Sequence, residues 1–541
     1  MIRNPILPGF NPDPSICRAG DDYYIATSTF EWYPGVQIHH SRDLVEWRLL
    51  TRPLNRASQL DLRGEPDSCG VWAPCLSYAD GRFWLVYTDV KRFDGSFKDA
   101  HNYIVTAPAV KGPWSEPAYV NSSGFDPSLF HDVDGRKWLL NMVWNHRDPA
   151  GARFKHPAFF GISLQEWDAK QGRLVGAAKT IFEGSPHGLV EGPHLFKRGG
   201  WYYLTTAEGG TGCDHAVTMA RSRRIDGPYE LHPNVHLITS KDAPEAALQR
   251  AGHGQYVETP TGEVYHTHLC SRPLPGIRRS PLGREAAIQK CEWRDDGWLY
   301  LAGGGCTPSA EVEGPSAAAP ASAPRDYAFS PEAGLPLDFQ WLRTPFPERI
   351  WTLAARPGWL RLIGRESIGS WFEQALVARR QQHFAYRAET ELEFAPRNFQ
   401  QAAGLTAYYN RYKFFALAVT WDEAAGRAVT VFGCPGDYPD GRLSFPVPAP
   451  AAIGDGPVRL AACVDGESLQ FQFALADGPW RDIGPVLDAS ALSDEAGGGE
   501  HRSFTGAFVG MFAFDVSGGA IAADFARFSY RGADLDQAPS A

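Results

Sequence analysis

Five times in the first three hundred residues, a short turn runs into an apolar strand, a glycine-containing hairpin and a strand rich in aromatic residues. The first unit takes Asp13-Pro-Ser-Ile through Ala-Gly-Asp-Asp to Tyr23-Tyr-Ile-Ala, and the third takes Asp126-Pro-Ser-Leu-Phe through Asp-Gly-Arg-Lys to Trp138-Leu-Leu. The units open at Asp13, Trp72, Asp126, Glu191 and His253, a spacing of 54–65 residues. Such a period with Gly-aromatic hairpins predicts the blades of a β-propeller, and five units predict five blades. From about Asp326 the pattern changes to strands of period two with one polar face, among them Tyr386-Arg-Ala-Glu-Thr-Glu-Leu-Glu-Phe and Leu469-Gln-Phe-Gln-Phe-Ala-Leu, which predicts a β-sandwich. A Pro/Ala/Ser-rich run around 315–324 separates the two patterns. The chain therefore divides into a propeller over 1–303, a linker over 304–325 and a sandwich over 326–541, an all-β protein.

Length agrees with this division, since 541 residues exceed the roughly 250–300 at which one core stops growing. The 55 Gly and 42 Pro supply the many tight turns that short strands need. A formal net charge of −10 and no Lys/Arg run argue against a nucleic-acid partner or an anionic membrane surface. The opening residues lack the apolar core of a secretory signal, and no stretch of about 18 apolar residues occurs, so a soluble cytoplasmic protein is expected. The nine Cys have no Cys-x-x-Cys spacing and read as free thiols of a reducing compartment.

Candidate chemistry follows from the propeller geometry. The first strand of each blade lines the central axis, so the five openers are expected to point into one funnel although about 240 residues separate the first from the last. Three of them, Asp13, Asp126 and Glu191, are carboxylates. An Asp before Pro is commonly a turn residue and nothing more, but three acids phased by the repeat point to a site. Of the 16 His, 14 precede residue 300, which concentrates titratable groups in the propeller.

The motifs Asn11-Pro-Asp-Pro-Ser-Ile, Phe30-Glu-Trp-Tyr-Pro-Gly, Val71-Trp-Ala-Pro, Gly124-Phe-Asp-Pro-Ser-Leu-Phe-His-Asp, Glu191-Gly-Pro-His-Leu, Pro281-Leu-Gly-Arg-Glu and Phe504-Thr-Gly-Ala-Phe-Val-Gly together resemble the β-xylosidases of glycoside hydrolase family 43. The likeness spans both parts of the chain and is to the type with a five-bladed propeller followed by a lectin-like jelly-roll sandwich. It implies an exo-acting, inverting hydrolase that releases terminal xylose from xylobiose and short β-1,4-xylo-oligosaccharides. In that pattern Asp13 matches the general base, Glu191 the general acid and Asp126 the carboxylate that orients the acid. Phe30, Trp72 and Trp144 match walls of the sugar subsites, Arg284 a residue that binds a substrate hydroxyl, and Phe504 a sandwich residue that closes the pocket. His253 matches an axial histidine that contacts water or Ca²⁺ in several relatives; the resemblance implies no required cofactor. It also implies a homo-oligomer, dimer or tetramer. Two other readings stand beside it, an α-L-arabinofuranosidase of the same family and a non-catalytic carbohydrate-binding protein. Cys75, where relatives usually carry Asp, and a short segment between Arg272 and Pro281 depart from the pattern.

Overall fold

The computed structural model describes residues 1–94, 97–145, 159–315, 325–436, 443–497 and 503–533. The predicted linker is therefore outside the described residues over 316–324. Within the described residues the chain forms five small antiparallel sheets, of four or five strands each, followed by two eight-stranded sheets. This is a five-bladed propeller and a β-sandwich, as the repeat and the later period-two strands predict.

Each blade forms for a local reason. Its inner and second strands meet at a hairpin whose glycine has a left-handed backbone: Gly20, Gly81, Gly135, Gly200 and Gly262, with φ between 64° and 87°. Only glycine takes that conformation without steric cost, so these residues fix where each hairpin reverses. The strands that follow, such as Asp22–Thr27 and Arg82–Arg92, are aromatic and β-branched and are buried along most of their length. Inner strands Ser15–Ala19, Gly70–Ala79, Ser128–His131 and Glu191–Arg198 begin four of the blades. In the fifth, the inner edge is interrupted: Gln249–Gly252 and Tyr256–Glu258 both pair with Val264–Ser271, leaving His253 in the gap.

The propeller ring is closed by the chain's first residues. Ile2–Arg3 pairs with Glu311–Val312, so the propeller extends into the span assigned to the linker. Asn4 then reads the backbone of Ile288 twice, donating to its carbonyl at 2.8 Å and accepting from its amide at 2.9 Å. Leu7 and Ala286 exchange both backbone hydrogen bonds, and the Asn11 amide donates to the Arg284 carbonyl at 2.9 Å. In effect residues 2–11 run as an extra antiparallel strand beside the last blade, which is what delivers Asp13 to Arg284.

The sandwich departs from the expected single polar face. Strands Gln401–Asn410 and Lys413–Asp422 are buried on both faces over most of their length, because one face fills the sandwich core while the other packs on the propeller. The propeller itself adds the edge strand: Trp32–Tyr33 pairs with Phe339–Leu342. Around that junction Phe10, Phe30 and Trp32 pack with Tyr408, Phe414 and Phe508, and the Trp32 and Phe508 rings stack at 3.7 Å. Cutting the sandwich away would bare several such side chains, each worth roughly 1.5–3 kcal/mol when buried. A chain ending at residue 315 is accordingly expected to be aggregated or unfolded, checked by soluble yield and far-ultraviolet circular dichroism; a folded, monomeric truncation would show that the junction is dispensable.

Candidate active site

All five blade openers line one cavity of about 520 Å³ on the propeller axis. The backbone explains their aim. Asp13, Ala73, Asp126, Gly192 and His253 have φ of 56°, 33°, 54°, 55° and 44°, so every blade enters its inner strand through a left-handed residue at or beside the opener. For a residue other than glycine this conformation is costly, and such strain collects where function sets the geometry. Gly192 is needed for a second reason, since a Cβ there would lie 2.9–3.0 Å from the His253 ring.

The three carboxyl groups are almost completely buried, at 6–8% exposure, but their surroundings differ. Asp13 accepts from Ser28 Oγ at 2.6 Å and from Arg284 Nη1 at 3.1 Å, with His253 Nδ1 at 3.7 Å. Burial pushes its pKa up, but Arg284, His253 and Ser28 more than offset that and hold it below the usual aspartate value. Asp126 accepts the Gly192 N–H at 3.1 Å and faces His253 Nδ1 at 3.9 Å. Burial, then Glu191, then Asp13 push its pKa well up. Glu191 is raised to about 8, by burial first and by the Asp13 charge second, with Arg284 pulling the other way. One site thus holds an ionised carboxylate beside a tightly interacting pair, Asp126 and Glu191, that retains a proton at neutral pH. His253 is kept neutral by burial and by the positive charge of Arg284, against the pull of Asp13.

Arg284 is the link between the parts. It reaches Asp13 with Nη1 and the Phe504 carbonyl with Nη2 at 2.8 Å, and its guanidinium lies over the Phe30 ring at 5.3 Å. Its Nε is buried without a protein partner. Phe504 is anchored from its amide to Ser68 Oγ at 3.1 Å, and Ser68 also accepts Trp72 Nε1 on its carbonyl at 3.0 Å. Trp72 meets Phe30 at 5.8 Å and Phe504 at 6.1 Å, so sandwich and propeller form one aromatic wall. Trp144 continues it through Phe125, at 4.6 Å.

Every residue singled out from the sequence lines this cavity: Asp13, Asp126, Glu191, Phe30, Trp72, Trp144, His253, Arg284 and Phe504. The sequence reading missed Phe93, Lys98, Phe125, Phe159 and His215. Phe125 stands inside the quoted Gly124-Phe-Asp motif, and its place next to Asp126 was the available signal. Phe93 follows strand Arg82–Arg92 and Phe159 begins strand Phe159–Asp168, with no motif to mark either. Lys98 caps the mouth, its Nζ 4.7 Å above the Trp144 ring. Cys75 is buried below the site with its Sγ 3.9 Å from His194 Nδ1. Among the described residues no group of three or more His, Cys, Asp or Glu is arranged to hold a metal.

Comparison with known proteins places this geometry in context. The model of glycosyl hydrolases family 43 matches residues 2–299, and that of the β-xylosidase C-terminal concanavalin A-like domain matches residues 327–531. A xylosidase/arabinosidase 43B of Humicola insolens is 60% identical over 98% of this chain and 98% of its own. A xylan 1,3-β-xylosidase of a Vibrio species is 47% identical over 98% of this chain and 99% of its own. The crystal structure of xylan β-1,4-xylosidase from Bacillus halodurans C-125 superposes with a TM-score of 0.93 at 49% identity, covering 98% of this chain and 100% of that one.

The charge arrangement makes a prediction of its own. The infrared difference between native enzyme and Glu191→Gln should show the stretch of a protonated carboxyl at neutral pH that disappears as pH rises past about 8. Because the Asp13 charge is one of the causes holding Asp126 and Glu191 up, Asp13→Asn should move that loss to lower pH. An unchanged or higher midpoint in the variant would contradict the assignment.

Proposed function

Because the chain belongs to glycoside hydrolase family 43, we propose that it is an exo-acting β-xylosidase that cleaves xylobiose and short xylo-oligosaccharides with inversion. The observation that carries this reading is the convergence of three buried carboxyl groups in one aromatic-walled cavity, where Arg284 and Ser28 bind Asp13 and not Glu191. Hydrolysis of a glycosidic bond needs one carboxylic acid to protonate the leaving oxygen and one carboxylate on the opposite ring face.

Glu191 serves as the acid. Its proton is retained at neutral pH and passes to the glycosidic oxygen as the bond to C1 breaks. Asp13 serves as the base, taking a proton from the water that attacks C1; Arg284 and Ser28 keep it ionised. Asp126 serves as the carboxylate that orients the acid. By accepting the amide of Gly192, the residue after Glu191, it sets the position of the neighbouring acid. Arg284 lines the cavity beside Asp13, and Trp72, Trp144 and Phe30 offer flat faces to the C–H side of a pyranose. Phe504, held between Ser68 and Arg284, closes one side of the cavity from the second domain, which suits release of one terminal sugar.

A second activity on terminal α-L-arabinofuranose is favoured by the likeness to the xylosidase/arabinosidase of Humicola insolens. The likeness to a xylan β-1,4-xylosidase of known structure favours β-1,4-xylobiose as substrate.

Product analysis by proton NMR tests this directly. The non-reducing-end sugar of β-1,4-xylobiose should be released as α-xylose, seen before mutarotation as an excess over the anomeric mixture that the leaving xylose carries; an excess of β-xylose, or no cleavage, would overturn the proposal, and 1,3-linked xylobiose and an aryl arabinofuranoside as parallel substrates grade the alternatives. The leaving group supplies a further check: Glu191→Ala should lose about 10²–10⁴-fold on xylobiose and far less on an activated aryl xyloside. Equal losses on both would remove Glu191 from the acid role. In the native enzyme kcat/KM should fall above about pH 8, where Glu191 loses its proton. It should stay high down to below the ordinary aspartate range, because Asp13 is held low.

A further inference from the structure

Behind Asp13 a closed circuit of hydrogen bonds joins the two domains. Arg380, the last residue of sandwich strand Ala375–Arg380, donates from Nε to the Phe10 carbonyl and from Nη1 to Gln340 Oε1, both at 2.5 Å. Arg52, from the first blade, donates to the Phe339 carbonyl at 3.2 Å and to Gln37 Oε1 at 2.7 Å. Gln37 Nε2 donates in turn to Asn11 Oδ1 at 2.8 Å. Phe10 adjoins Asn11, and Phe339 adjoins Gln340, so the contacts close into a loop around the segment that leads into Asp13. From there the Asn11 amide fixes the Arg284 carbonyl, and Arg284 Nη1 reaches Asp13 Oδ1.

Packing alone does not account for this circuit. Both guanidiniums are buried, at 6% exposure, and all four of these hydrogen bonds end on neutral oxygens. Among the described residues neither makes an ion pair; burial pushes Arg52 down to about 9 and, with the Arg52 charge, Arg380 well below its usual value, with the more distant Asp338 pulling both the other way. An apolar residue of similar volume commonly serves stability as well or better. What an apolar residue cannot do is hold the Phe10 carbonyl. Arg380 also lies over the rings of Phe10 and Phe508, at 5.6 and 5.1 Å, so its planar group clamps the segment sideways as well as by hydrogen bonding.

We propose that Arg380 is a positioning residue for the reaction: from the sandwich, it fixes Phe10 and Asn11 and through them the Arg284–Asp13 pair. This rests on the reading of Asp13 as the base. It gives the second domain a task beyond closing the cavity, since the base lies in the propeller yet is set in place from the sandwich.

The test compares native enzyme, Arg380→Met and Arg380→Lys on xylobiose and on an activated aryl xyloside, with pH profiles and Tm. The base acts whatever the leaving group, so Arg380→Met should lower kcat on both substrates by a similar factor, about tenfold or more, as expected when a reacting group is misplaced. KM should change by a smaller factor than kcat, because the Trp72 and Trp144 walls share no ring contact with Arg380 or Phe10 among the described residues. The acid limb of kcat/KM should move to higher pH: a loosened Arg284 offsets less of the upward push of burial on Asp13. Arg380→Lys should recover part of the loss, since an ammonium still donates to the Phe10 carbonyl. Native kcat and a native acid limb in Arg380→Met, whatever its Tm, would overturn the proposal. If Arg380→Met does not fold, Gln37→Leu breaks the circuit from the propeller side and should shift the same limb; an unmoved limb there also overturns it. A native enzyme that releases no xylose refutes the functional reading itself, whereas a normal Arg380→Met beside an active native enzyme refutes only the role of Arg380.

Discussion

One guanidinium holds the arrangement together. Arg284 touches Asp13 with one nitrogen and the Phe504 carbonyl with another, and its own carbonyl is held by the Asn11 amide. The last blade, the chain's first strand and the sandwich therefore meet at a single side chain that is 3% exposed. Its charge also separates the protonation states. It lies near enough to keep Asp13 ionised, and it lowers Glu191 by less than burial and Asp13 raise it. Carboxyl groups buried in one cavity would otherwise be pushed up together; a cation favouring one of them is what splits their protonation states.

The same logic recurs where the domains join. Glu31, adjacent to Phe30, is raised to about 8 by burial, with Asp67 adding to the push and Arg343 opposing it. Glu65 is driven well up by burial and by Asp89, with Lys91 opposing. Asp67 takes the available cations, accepting Arg343 at 2.7 Å and Arg411 at 3.0 Å. This acidic knot sits directly under Ser68, whose amide donates to Glu31 and whose hydroxyl accepts from the Phe504 amide. The wall of the cavity is thus seated on neutralised acids and on arginines from the second domain, so domain docking and cavity shape are one structural problem.

Much of this was legible in the chain. Blade phasing survives because each hairpin must reverse at a glycine and each opener must turn inward, two local demands that leave residues behind at regular spacing. Asp13, Asp126, Glu191 and His253 were found for that reason, and Arg284 and Phe504 through motif likeness. What escaped has no local signature. Phe93 and Phe159 are aromatic residues at strand ends like many others, and Lys98 belongs to no motif. The addition of Trp32–Tyr33 to a sheet formed three hundred residues later depends on tertiary docking. The buried second face of Lys413–Asp422 was missed for the same cause, since period two reports which side is apolar and not what covers the other.

The distribution of strain shows why the second domain cannot be an independent passenger. Five inner strands begin through left-handed residues at or beside the openers, and four of these residues are not glycine. A lone propeller would have to hold those conformations with hydrogen bonds from its own loops. In this chain part of the restraint comes from outside: Arg380 on the Phe10 carbonyl, Phe504 on Ser68 and Arg284, and Gln340 on the carbonyls of Trp32 and Pro34. The contacts from Arg380 and Gln340 land on backbone near Asp13 and Phe30, and Phe504 engages the side chains of Ser68 and Arg284. Restraint applied at those points lets loops carry catalytic geometry that loops alone hold poorly, and it ties correct placement of the acids to correct assembly of the whole chain.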